Sequence, residues 1–116
     1  MSNLEPQTFS VHLIPGADAL IVEVAGEVDM LTAPALSKAI DEVPEGTARV
    51  VVDLSNITFL DSSGLNALVQ GRRALDARDV TMRVVVPADG AIRRVFEITR
   101  LTEVLTVVDT RDAALP

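Results

Sequence analysis

Residues 48–65 read ARVVVDLSNITFLDSSGL and join two apolar patterns of different period. The first eight residues form a short run that is apolar on both faces, which is typical of a central strand covered on both sides of a sheet. Residues 56–60 follow as a short connection, and apolar side chains then recur at helical spacing from residue 62. The stretch therefore predicts a buried strand that leads through a short connection into a helix.

The helix after this strand is expected to run from about Ser62 to Arg78. Asp61 is its natural N-cap, because an aspartate there accepts hydrogen bonds from the exposed backbone N–H groups of the first turn. Arg72 falls on the inward face, where its aliphatic stem can cover the edge of the core. The predicted buried stripe is Leu65, Leu68, Val69 and Leu75.

Two strands and a helix precede this stretch. Period-two alternation in residues 8–14 and 19–27 predicts two strands, and the turn sequence PGAD between them predicts an antiparallel hairpin. Helical spacing follows in residues 31–43, with Thr32 as the N-cap and Pro34 in the first turn. The expected inward side chains are Phe9, Val11 and Leu13, then Leu20, Val22 and Val24, and in the helix Leu36, Ile40 and Val43.

The remaining sequence continues the alternation of strands and helices. A strand is expected at residues 80–86, a helix at 88–99, a last strand at 104–108 and a final turn or short helix at 111–115. In the third helix Ile92, Val95 and Phe96 are expected inward, and Arg93, Arg94 and Glu97 outward. The order β-β-α-β-α-β-α-β predicts an α/β fold in which helices pack on one mixed or parallel sheet.

The composition excludes several classes of site. The chain of 116 residues contains no cysteine and one histidine, so thiol chemistry and His- or Cys-rich metal sites lack their ligands. Oxygen-only metal sites stay possible on composition alone. An apolar fraction of 48% is enough to bury the core of one domain of this length. We expect neither a metal nor a cofactor.

The charge is distributed unevenly along the chain. Residues 1–58 carry nine acidic and two basic side chains, or −7, whereas residues 59–116 carry eight of each, or 0. This balance argues against nucleic-acid binding, which needs a basic face, and favours a partner with a basic surface. The sequence shows no signal-peptide pattern and no apolar run of membrane-span length. We therefore expect no membrane contact and a cytoplasmic location.

The first candidate site is the helix start, residues 61–64. A helix N-terminus exposes backbone N–H groups and a positive dipole end, which tolerate an anion. The hydroxyls of Ser62 and Ser63 could accept a phosphoryl group or form hydrogen bonds with one, and Gly64 would let another backbone approach closely. The alternative is that Asp61 and Ser62 simply cap the helix.

The second candidate site is Gly26-Glu27-Val28-Asp29, at the end of the second strand. Two carboxylates flank an apolar residue, so in an extended segment they share one face. They could bind a cation or meet basic side chains of a partner. The alternative is ordinary polar loop chemistry before a helix.

Asp53 and His12 are the remaining candidates for catalytic groups. An aspartate that ends a strand resembles a receiver-type phosphoacceptor, but receivers also need a lysine late in the chain, and the only lysine here is Lys38. We therefore expect Asp53 to have a structural role in the following turn. His12 lies opposite the inward face of its strand, and the sequence LDSSG around Ser62 is not the G-x-S-x-G of serine hydrolases. These patterns do not favour an enzyme, and no catalytic residue is predicted.

The stretch VDLSNITFLDSSGL, residues 52–65, resembles the signature of the STAS domain in the form found in bacterial anti-sigma factor antagonists. Gly26-Glu27-Val28-Asp29 is similar to the G-E-(apolar)-D element of the same family. The order of elements agrees with that family from about residue 8 to residue 112. The resemblance implies a single STAS domain over residues 1–116, with a mixed central sheet packed against helices.

The resemblance implies a partner switch. Unphosphorylated antagonists of this family bind an anti-sigma factor that is also a serine kinase, and so release a sigma factor. The kinase phosphorylates the serine after the motif aspartate, here Ser62 rather than Ser63, and a PP2C-type phosphatase reverses the step. By the same resemblance, the partner-binding residues are Glu27, Asp29, Asp61, Ser63, Gly64 and Leu65.

Two positions depart from the family pattern. Arg78-Asp79 stands where many relatives turn through glycine, and Arg100 stands where glycine often ends the third helix.

An alternative role keeps the fold: a STAS subunit that docks onto a transport ATPase or a larger signalling assembly without being phosphorylated. A neighbouring gene for an anti-sigma kinase would favour the switch, and a transporter operon would favour this alternative.

Overall fold

A computed structural model describes residues 9–17 and 19–115 of the chain, and these residues contain five strands and five helices. The strands are β1 (Ser10–Pro15), β2 (Ala19–Val28), β3 (Arg49–Leu60), β4 (Thr81–Val85) and β5 (Val107–Val108). The helices are α1 (Ala33–Asp41), α2 (Ser62–Asp76), α3 (Ala91–Ile98), α4 (Leu101–Val104) and α5 (Arg111–Ala114). Thr8 and Asp18, which the sequence places in the first strand and its turn, lie outside the described residues.

The five strands form one mixed sheet in the order β1-β2-β3-β4-β5. β1 pairs antiparallel with β2, and every other neighbouring pair is parallel. This arrangement confirms the predicted hairpin and the predicted α/β fold. It also confirms β3 as the central strand, since a strand that is apolar on both faces is stable only between two layers.

Helices α1, α2 and α3 cover one face of the sheet and build the main core with it. Alternation along the strands separates this core from a smaller cluster on the opposite face, where Val51 and Val85 pack beneath Ala114 of α5. The predicted stripes of α1 and α2 are confirmed, with Leu65 and Val69 only partly buried. Fully buried members of the main core include Val22, Val24, Val50, Val52, Val84, Leu36, Ile40, Leu68, Leu75 and Phe96.

Residues 56–60 are not the predicted connection, because β3 continues through them to Leu60. The partner strand β2 extends to Val28, and the two strands pair along this whole length with two register shifts. Ile57 and Leu60 are buried in the main core, and this burial stabilises an extended conformation at the end of β3. The connection between β3 and α2 is reduced to Asp61.

The predicted strand at residues 104–108 is also wrong in its first half. Arg100 adopts a left-handed conformation with φ 62°, which ends α3 and lets a short helical turn, α4, form from residue 101 to Val104. Leu105 is fully buried behind this turn. Only residues 107–108 pair with β4. Arg100 takes the conformation that glycine commonly supplies at a helix end, as does Asp79 with φ 59°.

Two inward or outward assignments are corrected. Leu13 was expected inward with Phe9 and Val11, but 47% of it is exposed, because the main core packs only against the first half of the edge strand β1. Arg93 was expected outward, but its side chain is only 18% exposed. It donates to the carbonyl of Val86 at 2.8 Å and pairs with Asp109 at 2.9 Å, which ties α3 to the ends of β4 and β5.

Asp53 is buried within β3 rather than at a turn after it. Its side chain is 7% exposed and meets Arg111, the first residue of α5. Arg111 Nη2 donates to Asp53 Oδ2 and to Glu23 Oε2, both at 2.7 Å, and Arg111 Nε donates to Asp53 Oδ2 at 3.0 Å. Asp53 is therefore structural, as predicted, but it connects the sheet to the C-terminal helix.

The pKa of Asp53 reflects two opposing effects. Burial by itself would raise the pKa, but the hydroxyl and backbone N–H of Ser55 donate to Asp53 Oδ1 at 2.6 Å and 2.9 Å. Together with Arg111, these hydrogen bonds outweigh burial and hold the pKa of Asp53 below its ordinary value of 3.8. The pKa of Arg111 is raised, first by its hydrogen bond to Glu23 and then by that to Asp53.

We expect Arg111→Ala to lower the free energy of unfolding by about 1 to 3 kcal/mol, measured by urea denaturation. Removing one partner of a buried ion pair costs about 3 to 5 kcal/mol, and the value here is smaller because water reaches Arg111 and Glu23, which are 34% and 32% exposed. The control is Arg94→Ala, an exposed arginine of α3, which should change stability by less than about 0.5 kcal/mol. Equal effects of both variants would show that the Arg111 contacts are not important for stability.

A second prediction concerns the stability of the fold at low pH. Because the pKa of Asp53 is lowered by folding, the ionised carboxylate stabilises the fold above its ordinary value of 3.8, and this contribution is lost as the pH falls through and below that value. The Asp53→Asn variant lacks this titration. Its unfolding free energy should therefore fall less than that of the wild type between about pH 5 and about pH 2, in urea titrations at each pH. Parallel pH profiles would contradict the assignment.

Candidate functional site

The two candidate motifs meet at the carboxyl ends of β2 and β3. The strands are parallel, and Val28 pairs with Leu60 where they end. The backbone N–H of Asp61 donates to the carbonyl of Val28 at 3.2 Å. The helix start at residues 61–64 therefore lies directly beside residues 26–29, which we call the acidic loop together with residues 30–32.

Asp61 caps α2 as the sequence predicts. Its backbone is extended, with φ −110° and ψ −171°, and its Oδ1 accepts from the N–H of Ser63 at 2.9 Å and of Gly64 at 3.3 Å. The carbonyl of Asp61 accepts from Leu65 N at 3.1 Å. The cap orients the first turn without using either serine hydroxyl.

The two serines of the motif have different surroundings. Ser62 is exposed as the first residue of α2, and its hydroxyl forms no hydrogen bond within residues 9–17 and 19–115. Ser63 is partly buried and faces a groove between α1 and α2. Since Asp61 provides the cap, the alternative that Ser62 caps the helix with its own side chain is not supported, and the Ser62 hydroxyl is presented to solvent.

Gly64 fixes the helix start to the strand ends by close packing. A Cβ atom at this position would lie 2.8 Å from Cγ1 of Val28 and even closer to Cδ1 of Leu60. Neither side chain can move far, because both belong to the main core. Gly64 therefore allows the close approach predicted for it, and the approaching groups are side chains of β2 and β3 rather than another backbone.

The acidic loop is held by hydrogen bonds within itself. Asp29 Oδ1 accepts from the backbone N–H groups of Leu31 at 3.0 Å and Thr32 at 3.1 Å. The Thr32 hydroxyl accepts from Asp29 N at 2.9 Å and donates to the carbonyl of Glu27 at 2.8 Å. Thr32 is the N-cap residue of α1, as predicted, but its hydroxyl binds backward into the loop and forms no hydrogen bond with the first turn of the helix.

The carboxylates of the loop differ in accessibility. Glu27 is exposed, whereas Asp29 is partly buried and directs one oxygen at the loop backbone. Val28 between them is fully buried. Of the two side chains, Glu27 is thus solvated, whereas Asp29 also holds the backbone of the loop. The role of Asp29 is the ordinary polar loop chemistry given above as the alternative for this motif.

An exposed apolar rim around this site was not predicted from the sequence. Met30 is 72% exposed and Leu31 is 84% exposed at the tip of the acidic loop, and Phe59 beside Glu27 in the sheet is 46% exposed. Large apolar side chains inside a polar loop were the available signal. Exposed apolar groups that surround a polar site are typical of protein-binding surfaces.

Gly64 and Leu65, the remaining predicted site residues, lie beneath this surface. Gly64 is buried and Leu65 packs partly against the main core. A groove of about 550 Å³ adjoins them between α1 and α2, lined among others by Met30, Lys38 and Asn66. The exposed part of the site therefore consists of Ser62, Glu27, Phe59, the tip of the acidic loop and the mouth of this groove.

This arrangement can present a hydroxyl and an acidic-apolar surface to another molecule. No hydrogen bond joins Ser62 to His12 in the described part of the chain, and His12 pairs with Glu23 on the far hairpin. Within residues 9–17 and 19–115, no group of three or more His, Asp or Glu side chains could hold a metal ion. The helices of these residues are also too short or too polar to span a membrane.

Comparisons with known proteins agree with this geometry. The family model of the STAS domain matches residues 9–114. The anti-sigma-B factor antagonist of Staphylococcus aureus (strain NCTC 8325 / PS 47) is 34% identical over 87 residues, which are 74% of this chain and 80% of that protein. The crystal structure of an anti-sigma factor antagonist from Mycobacterium paratuberculosis is 32% identical, with a TM-score of 0.85 over 95% of this chain and 93% of the other.

A third similarity extends to a phosphorylated protein. The structure of the Bacillus cell fate determinant SpoIIAA in its phosphorylated form has a TM-score of 0.66 at 18% identity, over 92% of this chain and 96% of the other. At that identity the likeness concerns the fold alone. The family model matches almost the whole chain, and the sheet order and the helix start agree with it. This chain therefore belongs to the STAS domain family.

Proposed function

We propose that the chain is an anti-sigma factor antagonist, whose unphosphorylated form binds an anti-sigma factor and so releases a sigma factor. The observation that carries the proposal is the exposed Ser62 hydroxyl at the start of α2, which needs no internal partner because Asp61 caps the helix. The names of the Staphylococcus aureus and Mycobacterium paratuberculosis relatives support it. Such a protein acts in the cytoplasm, where sigma factors do.

Phosphorylation of Ser62 is the proposed off-switch. A kinase brings its own ATP and Mg²⁺, so this chain has to supply only an accessible hydroxyl. The phosphate adds a charge of about −1.5 to −2 next to the first N–H groups of α2, where the helix dipole favours an anion. The fold therefore tolerates the modification, while the surface shared with the partner becomes bulkier and more negative.

The proposed partners are an anti-sigma factor with serine kinase activity and a PP2C-type phosphatase. The exposed Met30, Leu31 and Phe59 offer apolar anchors around Ser62, and Glu27 adds an acidic rim. A kinase surface with basic side chains around an apolar depression complements this pattern. The structure of SpoIIAA in its phosphorylated form is an example of a phosphorylated protein with this fold.

We expect a single added phosphate on Ser62 when the chain is incubated with the anti-sigma kinases of its genome and ATP. Intact mass and peptide mapping measure it. Ser62→Ala should remove the phosphate and keep kinase binding, whereas Ser63→Ala should still be phosphorylated. A phosphate mapped to Ser63, Thr58 or Ser55 would contradict the assignment. Binding with no phosphate on any serine would favour the alternative of a STAS docking subunit.

Ser62→Asp should separate the switch from the fold. Thermal unfolding by circular dichroism should stay close to that of the wild type, because aspartate at a helix start is favourable. Kinase binding should weaken by tenfold or more, or about 1.4 kcal/mol, through repulsion and desolvation at the interface. Ser62→Ala is the control for loss of the hydroxyl. Equal affinities of both variants in calorimetric titrations would rule out charge at this position as the switch.

Asp29→Ala should weaken kinase binding by about 1 to 3 kcal/mol if its carboxylate forms a charge-assisted hydrogen bond with the partner. Because Asp29 also holds the loop, the matched control is Thr32→Val, which removes the hydroxyl bonds to Glu27 and Asp29 but keeps every charge. Calorimetry should show the larger loss for Asp29→Ala. Equal losses would mean that Asp29 acts only through the conformation of the loop.

A further inference from the structure

The groove between α1 and α2 is a preformed cavity beside the helix start. It has a volume of about 550 Å³, and Met30 and Ser63 at one end connect it to the exposed surface around Ser62. Close contact between the two helices fixes its walls, since a Cβ atom at Gly71 of α2 would lie 2.9 Å from Cδ1 of the fully buried Ile40 of α1. A preformed cavity loses little conformational entropy when another molecule enters it.

Small side chains line the end of the groove that is nearer to Ser62. Ala33 of α1 and Ala67 of α2 are buried, and Pro34 and the partly buried Ser37 continue the wall along α1. Small residues on two neighbouring helices leave room for a larger apolar side chain of another molecule. Burial of that side chain would be favourable, because it removes apolar surface from water on both sides.

Lys38 lines the other end of the groove and is the only lysine of the chain. Glu42 follows four residues later on α1, at a spacing that suits helical ion pairs. Lys38 nevertheless forms no ion pair within residues 9–17 and 19–115, either with Glu42 or with Asp41, which also lines the groove. Its ammonium group is therefore available to a molecule that enters the groove.

The charge of Lys38 contrasts with the surface around it. Glu27, Asp29 and Asp61 make the neighbouring site acidic, and among the described residues that line the groove Lys38 alone is basic. The acidic loop favours a partner with basic side chains, but a basic side chain over Lys38 would be repelled. A carboxylate at that place would be attracted, so Lys38 selects between partners by charge.

We propose that the groove receives a segment of the anti-sigma factor in which an apolar side chain lies next to a carboxylate. The apolar side chain fills the space between Ala33 and Ala67, and the carboxylate pairs with Lys38. This inference rests on the proposed function and adds one property of the partner, an acidic group on a surface that is otherwise basic. Lys38 is then a residue that determines which anti-sigma factor binds.

The direction of one change in affinity tests the pairing. In calorimetric titrations against the anti-sigma kinase that phosphorylates Ser62, Lys38→Met should weaken binding about fivefold, because the aliphatic stem is kept and only the charge is lost. A basic partner group over Lys38 would give the opposite result, since the substitution would then remove a repulsion. The control Arg73→Met makes the same change of net charge at an exposed position of α2 outside the groove and should bind like the wild type.

A second pair of variants tests occupation of the groove. Asn66 is exposed on α2 and lines the groove, so the indole of Asn66→Trp would fill part of it and should weaken binding about tenfold. Gln70→Trp places the same side chain at an exposed position one turn later, outside the groove, and should bind normally. Thermal unfolding by circular dichroism should be the same for both variants.

Phosphorylation kinetics separate docking from chemistry. Lys38→Met should raise the KM of the kinase for this chain and leave kcat unchanged, because Lys38 contributes to binding and not to phosphoryl transfer. A Lys38→Met variant that binds as tightly as the wild type or more tightly would overturn the inference and leave the proposed function intact, as would normal binding by Asn66→Trp. A wild type that binds none of the anti-sigma factors of its genome would overturn the proposed function and this inference with it.

Discussion

The parallel pairing of β2 with β3 along their full lengths is the constraint on which the site depends. It places Val28 beside Leu60, so that the N–H of Asp61 binds the carbonyl at the end of β2 before the chain turns into α2. Gly64 then packs directly on the two strand ends. A shift of either strand by one residue would exchange its buried and exposed faces and separate the acidic loop from the helix start.

Because β2 and β3 end side by side, a few polar side chains are enough to order the acidic loop and the start of α2. Oδ1 of Asp61 holds the first turn of α2, and Oδ1 of Asp29 holds the turn into α1. Asp61 satisfies backbone N–H groups that α2 leaves unpaired, whereas Asp29 satisfies those of the turn that precedes α1. The side chains at the tips, Ser62 and Leu31, are left exposed on a backbone that is already fixed, which reduces the conformational entropy lost when a partner binds.

Patterns within short segments predicted much of this structure, and interactions between distant segments account for the errors. The cap at Asp61 and the stripe of α1 depend on neighbours within a few residues, so the sequence alone identifies them. The extension of β3 to Leu60 depends on the length of β2, and the exposure of Leu13 depends on where the helices end above the edge strand. Arg111 meets Asp53 across 58 residues, and no local spacing indicates such a contact.

The contact between Arg111 and Asp53 also has a consequence for synthesis on the ribosome. Asp53 lies in the central strand, but its counter-charge is made 58 residues later. At about 5 to 20 residues per second, the ribosome needs roughly 3 to 12 seconds for that interval. During this time the face that α5 covers is open to water, which solvates the carboxylate of Asp53. That face is therefore expected to stay uncovered until α5 emerges, so that Arg111 pairs with Asp53 only after α5 has been translated.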